Sequence, residues 1–437
     1  MLEAFQLYAF FQEHPKVFTD SRQVLPGGIF FALRGERFDG NAFALACLAQ
    51  GAAYAVVDRP EVARQDKRCL LVEDTLLALQ ELARHHRRQF AIPVIAITGS
   101  NGKTTTKELV AAVLGSQHRT HFTQGNLNNH IGVPLSLLAM PVHTEVAIIE
   151  MGANRQGDIH ELCEIAEPTH GLITNIGRAH LEGFGGLEGV RRGKSELYRY
   201  LAKHGGVVFI NRDEPFLMEL AAGNSRIIEY LESKAPSPSN KPFEVQLLKE
   251  HPQLRVGFLD EHRNLLEAQS PLMGIHNFQN IKTAIALGKY FKVPGAKIKA
   301  AIEAYSPGNM RSQWLEKNGY RYFLDAYNAN PESMQHALNS FVQVPANHRV
   351  AVLGAMLELG ESSEREHRAL LKQALDSPIN MIITVGEGFR AAAEDAGAPH
   401  FLDADDLKSW LKQFPFPEGT HFLLKGSRGN KLETLLD

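Results

Sequence analysis

Thr98-Gly99-Ser100-Asn101-Gly102-Lys103-Thr104 lies between an apolar run, residues 92–97, and a helical pattern, residues 105–114. A strand, a Gly-rich turn and a helix start in succession aim several backbone N–H groups and the positive end of a helix dipole at one point. The stretch therefore reads as a phosphate-binding loop. Lys103 adds a mobile positive charge for terminal phosphates, and Thr104 adds a hydroxyl able to ligate Mg²⁺. Gly99, Ser100, Asn101, Gly102 and Thr105 complete the expected nucleotide-binding set. Ile97 stands where the eight-residue phosphate-loop pattern has its first Gly, so the match is to the shorter turn Gly-x-x-Gly-Lys-Thr. A chance Gly-Lys-Thr in a surface loop is the competing reading, and the flanking strand and helix weigh against it.

The remaining sequence bears on how that nucleotide is used. A chain of 437 residues accommodates about two to four domains of ordinary size. Lys and Arg number 46 against 49 Asp and Glu. This near balance offers no sign of a protein that coats nucleic acid or an anionic membrane. Cys47, Cys69 and Cys163 show neither metal nor redox spacing, and an odd count argues against a disulfide framework, which fits a reducing cytoplasm. The opening MLEAFQLYAFFQEHPK lacks a basic n-region, and no apolar run approaches the ~20 residues that span a bilayer. The expectation is a cytoplasmic protein with no membrane insertion.

Residues 21–28 are turn-rich, residues 29–33 form a short apolar strand, and residues 34–40 turn again. A helix over 41–50, a strand over 52–57 and a basic helix over 75–89 complete a small α/β unit. By pattern alone Ser21 and Arg22 are a turn cap and a surface charge. Residues 90–93 read as the hinge to a central domain. There, the amide cluster of residues 124–134, with Asn128 and Asn129, is either a self-satisfied Asx-turn loop or a polar lip for substrate. The strand 146–150 ends in Glu150, and strand ends in an open parallel sheet face the ligand crevice, making Glu150 a candidate Mg²⁺ ligand. The strand 171–176 leads in the same way to His180. A helix over 187–204 carries Lys194 as a solvated charge. Residues 233–242 read as a surface connection, and residues 243–268 as an edge meander. Residues 274–280 cap a helix over 281–291. After a linker at 305–308, strands at 322–325, 349–353, 381–385 and 421–424 alternate with helices, indicating a second doubly wound sheet. Its strand ends carry Asp325, Tyr327, Asn328 and Asn330, and residues 425–429 form a basic loop at the same face.

The runs TGSNGKTTTKE, GNLNNHIGVPL, EMGANRQGDI, NIGRAHLEGFGG, GKSEL, GIHNFQN, DAYNANPESM, LGAMLELG and LKGSRGNK together resemble the Mur ligases of peptidoglycan synthesis from end to end. Within that family, DAYNANP and GNLNNHIGVPL look most like the type that adds D-alanyl-D-alanine to UDP-N-acetylmuramoyl-tripeptide. The resemblance implies an α/β chain of three domains. A small N-terminal domain (1–89) would hold the UDP-substrate, a central P-loop domain with a mostly parallel sheet (90–308) would hold ATP, and a C-terminal doubly wound, Rossmann-like domain (309–437) would close on nucleotide and dipeptide. It also implies two Mg²⁺ sites. Thr104 and Glu150 would serve one, and His180 with a carbamylated Lys194 the other. Lys103 would serve the phosphates, Asn277 and Asn280 the adenine side, Arg311 the phosphate-facing position and Asp325 the ribose. Ser21 and Arg22 match the uracil-side turn, while Asn128, Asn129, Tyr327 and Asn328 match substrate-side positions. Lys103, His180, Lys194 and Arg311 form the implied catalytic set, and a monomer is the expected state.

Three departures stand out. Asn41 replaces a His common after Asp-Gly, Asn309-Met310-Arg311 lacks the common Gly before Arg, and Ala355 replaces the Asp of LGDMxELG. The loop carrying Ala355 is accordingly assigned no catalytic carboxylate. Three alternatives remain. A relative adding the third residue would carry Asp-Asn-Pro-Arg, which is absent. A P-loop kinase would transfer phosphate to a hydroxyl, and a nucleotide-switch module would answer to a protein partner.

Overall fold

The computed structural model describes residues 1–178, 180–236, 242–251, 253–308 and 310–437. Residues 237–241 of the expected surface connection, and Ala179 and Asn309 beside two candidate site residues, lie outside that set.

Alternation of strand and helix produces three mostly parallel sheets, as the pattern predicts. Strands Val17–Phe18, Ile29–Phe31, Tyr54–Val57 and Cys69–Leu71 pair in that order, all parallel. Among the described residues the central sheet has nine strands. Val94–Thr98, which feeds the phosphate loop, lies between Val146–Glu150 and His170–Ile173, parallel to both. Val207–Asn211, Ile227–Glu232 and Phe243–Lys249 extend it in parallel, and Arg255–Leu259 and Leu265–Gln269 close the edge as the expected antiparallel meander. In the third sheet Tyr320–Asp325, His421–Lys425, Arg349–Gly354 and Met381–Val385 are adjacent and parallel, with Gln313–Lys317 antiparallel at one edge.

The first two sheets share one apolar core. Leu7, Phe11, Leu79 and Leu82 of the N-terminal unit pack with Val133, Leu137, Ile159 and Leu162 of the central one. Helix Thr75–Arg87, capped by the Asp74 side chain on the Leu77 N–H, carries much of this contact. The third sheet keeps its own cores, to which the central unit contributes Met273.

Several elements depart from the sequence reading. The helix expected over 41–50 is a 3₁₀ turn, Gly40–Phe43, followed by helix Ala44–Ala49, because the Asp39 side chain caps Asn41. The helix expected over 187–204 is two, Leu187–Lys194 and Glu196–Lys203, separated at Ser195. The Ser195 hydroxyl donates back to the Arg192 carbonyl and accepts from Arg199, a local bonding pattern that competes with the helix ladder. Lys194 consequently ends the first helix and is buried rather than solvated. The helix expected from 281 begins at Ile275 and runs to Tyr290, so residues 275–280 are helical rather than a cap. Gly274 precedes it at φ 81°, where an added Cβ would stand 2.3 Å from Ser340 Oγ. Lys425, expected in a basic loop, ends a strand and is buried against Asp325 at 2.9 Å.

Candidate active site

The phosphate loop turns on two glycines whose geometry excludes larger residues. At Gly99, φ 144°, a Cβ would lie 1.9 Å from Thr174 Oγ1, and at Gly102, φ 78°, 2.6 Å from Asn280 Oδ1. Helix Lys103–Gly115 starts immediately after. Lys103 Nζ donates to the loop's own carbonyls, Gly99 at 2.8 Å and Ser100 at 3.2 Å. Burial holds its ammonium below the usual lysine range, with Glu150 opposing that and Arg311 adding to it.

Glu150 ends the neighbouring strand fully buried. Its Oε1 accepts from Thr104 Oγ1 at 3.2 Å and Asn128 Nδ2 at 2.8 Å. Among the described residues Oε2 accepts no hydrogen bond, and it lies 3.6 Å from Lys107 Nζ. Lys107 was absent from the sequence reading, although it sits one helical turn after Lys103, where i and i+4 residues share a face. The amide cluster is partly self-satisfied and partly turned to the site. Asn129 Oδ1 caps the next helix through the Ile131 and Gly132 N–H groups, while Asn128 turns to Glu150.

These residues open onto a cavity of about 830 Å³ that crosses to the third sheet. Ser100, Asn101, Gly102, Lys103, Thr104, Thr105, Asn128, Asn129, Glu150 and His180 line one side. Asn277 and Asn280 line it from helix Ile275–Tyr290, and Arg311, Asp325, Tyr327 and Asn328 from the third domain. Asn280 donates to Asn277 Oδ1 at 3.1 Å and accepts from Thr106 Oγ1 at 3.0 Å, which fixes both amides relative to the loop helix. The Arg311 guanidinium stacks on the Tyr327 ring, 4.0 Å from its centroid.

Gly99 and Lys194 support the cavity without lining it. Lys194 is almost fully buried, its Nζ 5.4 Å from the Phe184 ring centroid. Burial, reinforced by the Lys103 charge, holds it well below the usual lysine range. Nearby Glu196 accepts from the Gly157 and His160 N–H groups at 2.7 and 2.9 Å, tying GKSEL to the EMGANRQGD turn. Ser21 and Arg22 lie on an exposed turn of the first domain, away from the cavity, with Arg22 paired to Asp20 at 2.7 Å. Asn41 is buried, its amide spent on Asp39 and Asp58.

Sequence reasoning also missed the contacts that join the two sides. Asn330 Nδ2 donates to Asn101 Oδ1 at 2.6 Å while its own Oδ1 caps helix Pro331–Val342. Glu332 accepts from Asn101 Nδ2 at 2.9 Å and from the Arg178 N–H at 3.0 Å. His180 Nδ1 meets Glu358 at 2.5 Å. The only available signal was the density of amides in DAYNANP, which says nothing of their partners.

Comparison with known proteins follows the three-domain order of the fold. Family descriptions match in chain order: the Mur ligase family catalytic domain at residues 16–87, the Mur ligase middle domain at 97–288 and the Mur ligase glutamate ligase domain at 310–428. The UDP-N-acetylmuramoyl-tripeptide–D-alanyl-D-alanine ligases of Bacillus subtilis and Escherichia coli are 33% and 34% identical to this chain. Each alignment covers 96% of this chain and 92% of the relative. A crystal structure of MurF from Acinetobacter baumannii superposes with a TM-score of 0.84 at 33% identity, covering 99% of this chain and 97% of that one. The MurF ligase of Thermotoga maritima in complex with ADP gives 0.79 at 27% identity, covering 96% of each. Full-length relatives at this identity, the ordered domain matches and a phosphate loop facing a third-domain wall lead to one conclusion: the chain belongs to the Mur ligase family.

Proposed function

We propose that the protein is an ATP-dependent ligase that joins D-alanyl-D-alanine to UDP-N-acetylmuramoyl-tripeptide through an acyl phosphate, in the cytoplasmic synthesis of peptidoglycan precursors. The observation that carries this reading is the cavity lined jointly by the phosphate loop and by the strand ends of the third domain. A ligase must hold a phosphorylated carboxylate and an incoming amine together, and a cleft between two sheets provides that proximity.

Lys103 holds the terminal phosphates, displacing its present contacts to Gly99 and Ser100. Arg311, flattened on Tyr327, faces it across the cleft and stabilises charge on the phosphoryl group being transferred. Asn277 and Asn280 bind the base, Asp325 reaches the ribose, and Tyr327, Asn328, Asn128 and Asn129 line the path of the reacting peptide. Ser21 and Arg22 take the uridine end.

The donor set suits Mg²⁺, a cation that takes oxygen ligands. Thr104 Oγ1 and Glu150 are hydrogen-bonded at 3.2 Å, and the buried Glu150 Oε2 has no hydrogen bond to lose. Thr104 and Glu150 would hold one ion, and His180 with Lys194 as its carbamate a second. Bound there, the metal would neutralise charge on the phosphates. Lys194 meets the chemical requirement for carbamate formation, because burial favours the neutral amine that attacks CO₂.

Phosphate release from ATP and Mg²⁺ tests the reaction. It should require both UDP-N-acetylmuramoyl-tripeptide and D-alanyl-D-alanine and yield the pentapeptide product. Release without either cosubstrate, or phosphate transfer to a hydroxyl, would overturn the proposal.

A further inference from the structure

The loop LGAMLELG carries Ala355 where the resemblance implies an Asp, yet its Glu358 carboxylate reaches His180. Strand Arg349–Gly354 leads into it, and three backbone donors pin it down. The Ala355 N–H donates to the Val385 carbonyl at 2.8 Å, the Met356 N–H to His367 Nε2 at 2.9 Å and the Leu357 N–H to Ser427 Oγ at 3.1 Å. The next residue, Glu358, is held at φ 64°, and His180 opposite is held at φ 53°. Two side-chain-bearing residues in the left-handed region, facing each other across a domain boundary, are the kind of outlier that clusters at functional sites. The Glu358 carboxylate lies 2.5 Å from His180 Nδ1. Beside it, Arg178 Nη1 stands 3.7 Å from Glu366, so the junction carries further charge pairing.

A carboxylate on Nδ1 fixes what the other nitrogen can do. With Nδ1 donating to Glu358, Nε2 keeps its lone pair, and among the described residues it has no hydrogen-bond partner. His180 also lines the cavity that holds Lys103, Thr104 and Glu150. Metal-binding imidazoles are typically oriented in this way, by a carboxylate on the nitrogen that does not ligate.

We propose that Glu358 is a positioning residue for the second metal position: from the third domain it sets the tautomer and ring orientation of His180, so that this position is complete only when the third domain is docked. The inference rests on the reading of His180 as a ligand. It goes beyond the sequence expectation, which assigned the loop no catalytic carboxylate and gave Glu358 no role. The Glu358 side chain is 60% exposed and belongs to no core cluster among the described residues, so its replacement should leave the fold intact.

Mn²⁺ replaces Mg²⁺ in the test, with full-length protein, a nonhydrolysable ATP analogue and the UDP-substrate, and bound metal read by electron paramagnetic resonance. The wild type should bind two ions of different affinity. Glu358→Ala should weaken the weaker site by roughly 10- to 100-fold and leave the tighter one, which reports on Thr104 and Glu150, unmoved. Glu358→Gln, which retains an acceptor at the same reach, should recover most of the affinity, and His180→Ala should abolish the weaker site. Loss of that site in His180→Ala with none in Glu358→Ala would overturn the role of Glu358 and spare that of His180. A single site in the wild type, or two unaltered sites in His180→Ala, would overturn both.

Discussion

Lys103 shows how a residue's present contacts state its purpose. Its ammonium rests on two carbonyls of its own loop, in a buried setting that disfavours the charge, and the proposed function would exchange them for phosphate oxygens. Lys103→Ala should lower turnover by roughly 10²- to 10³-fold while far-ultraviolet circular dichroism stays unchanged; near-normal phosphate release from the folded variant would refute the assignment. Lys194 makes the contrasting case. Helical spacing put it on a solvated face, because one continuous helix over 187–204 was assumed, and the break at Ser195 buries it instead. Only the motif GKSEL marked it for chemistry. As the proposed carbamate it would supply an oxygen ligand, so Lys194→Ala should lose most ligation and regain part of it with acetate or formate. Bicarbonate should stimulate wild-type enzyme prepared in CO₂-depleted buffer. Normal turnover of the variant in that buffer, with no bicarbonate effect on the wild type, would make Lys194 structural. Glu150 was legible because a carboxylate ending an apolar strand has few ordinary reasons to be there. Lys107, Glu332 and Glu358 were not, since their partners lie across the fold and leave no local pattern.

Where the sequence marks a strand its limits hold better than helix limits do, for a physical reason, although Cys69–Leu71, Thr120–Phe122, Ile227–Glu232 and Gln313–Lys317 carry no such mark. Apolar runs such as 146–150 and 349–353 are buried on both faces, so their limits coincide with the ends of hydrophobic sequence. Helix limits depend on caps, which long-range contacts can supply or remove. Helix Ile275–Tyr290 begins six residues before the expected start because Gly274 makes the turn and Asn277 Nδ2 donates to the Met273 carbonyl, so Asn277 and Asn280 project from regular helix. Another helix end is closed from outside its own sequence. Arg87, buried on helix Thr75–Arg87, donates to the Ala166 and Glu167 carbonyls at 3.1 Å each, at the end of helix Asp158–Ala166, and to the Phe90 carbonyl at 2.7 Å. Arg87→Ala would leave those carbonyls buried without a donor and should cost about 2–3 kcal/mol. Neighbouring Arg88 pairs with Glu167 on the surface, so Arg88→Ala should cost less than about 1 kcal/mol. The first unfolding transition in urea measures both, and equal effects would count against the capping role.

Across the whole molecule, the distribution of contacts separates what is rigid from what can move. Inside the rigid part, His170 is enclosed by Phe209, Tyr290 and Phe291, and burial lowers its pKa to about 4. Because the folded value lies below the ordinary one of 6.5, the unfolded chain binds the proton more readily, and stability falls as pH drops from 6.5 toward 4. The loss from His170 should approach about 3 kcal/mol, and His170→Gln should reduce the slope of that part of the pH profile without removing it, because burial also lowers His276 to about 4. The moving part is defined by chemistry at the junctions. The first two domains share an apolar core, whereas Asn101, Arg178 and His180 meet the third domain through polar contacts that water can replace. The connection near residues 306–312 adds Met310 and Ser312 at positive φ, placing backbone strain where a hinge would turn. A lid built this way closes when ligand bridges its two walls, and here ATP would bridge Lys103 and Arg311. Small-angle scattering should therefore show a smaller radius of gyration with an ATP analogue and UDP-substrate together than without them. Glu332→Ala, which removes two contacts across the junction, should enlarge the unliganded particle and leave the liganded one nearly unchanged. A radius that ignores both ligand and substitution would mean that the third domain is fixed, and that the cleft fills without closing.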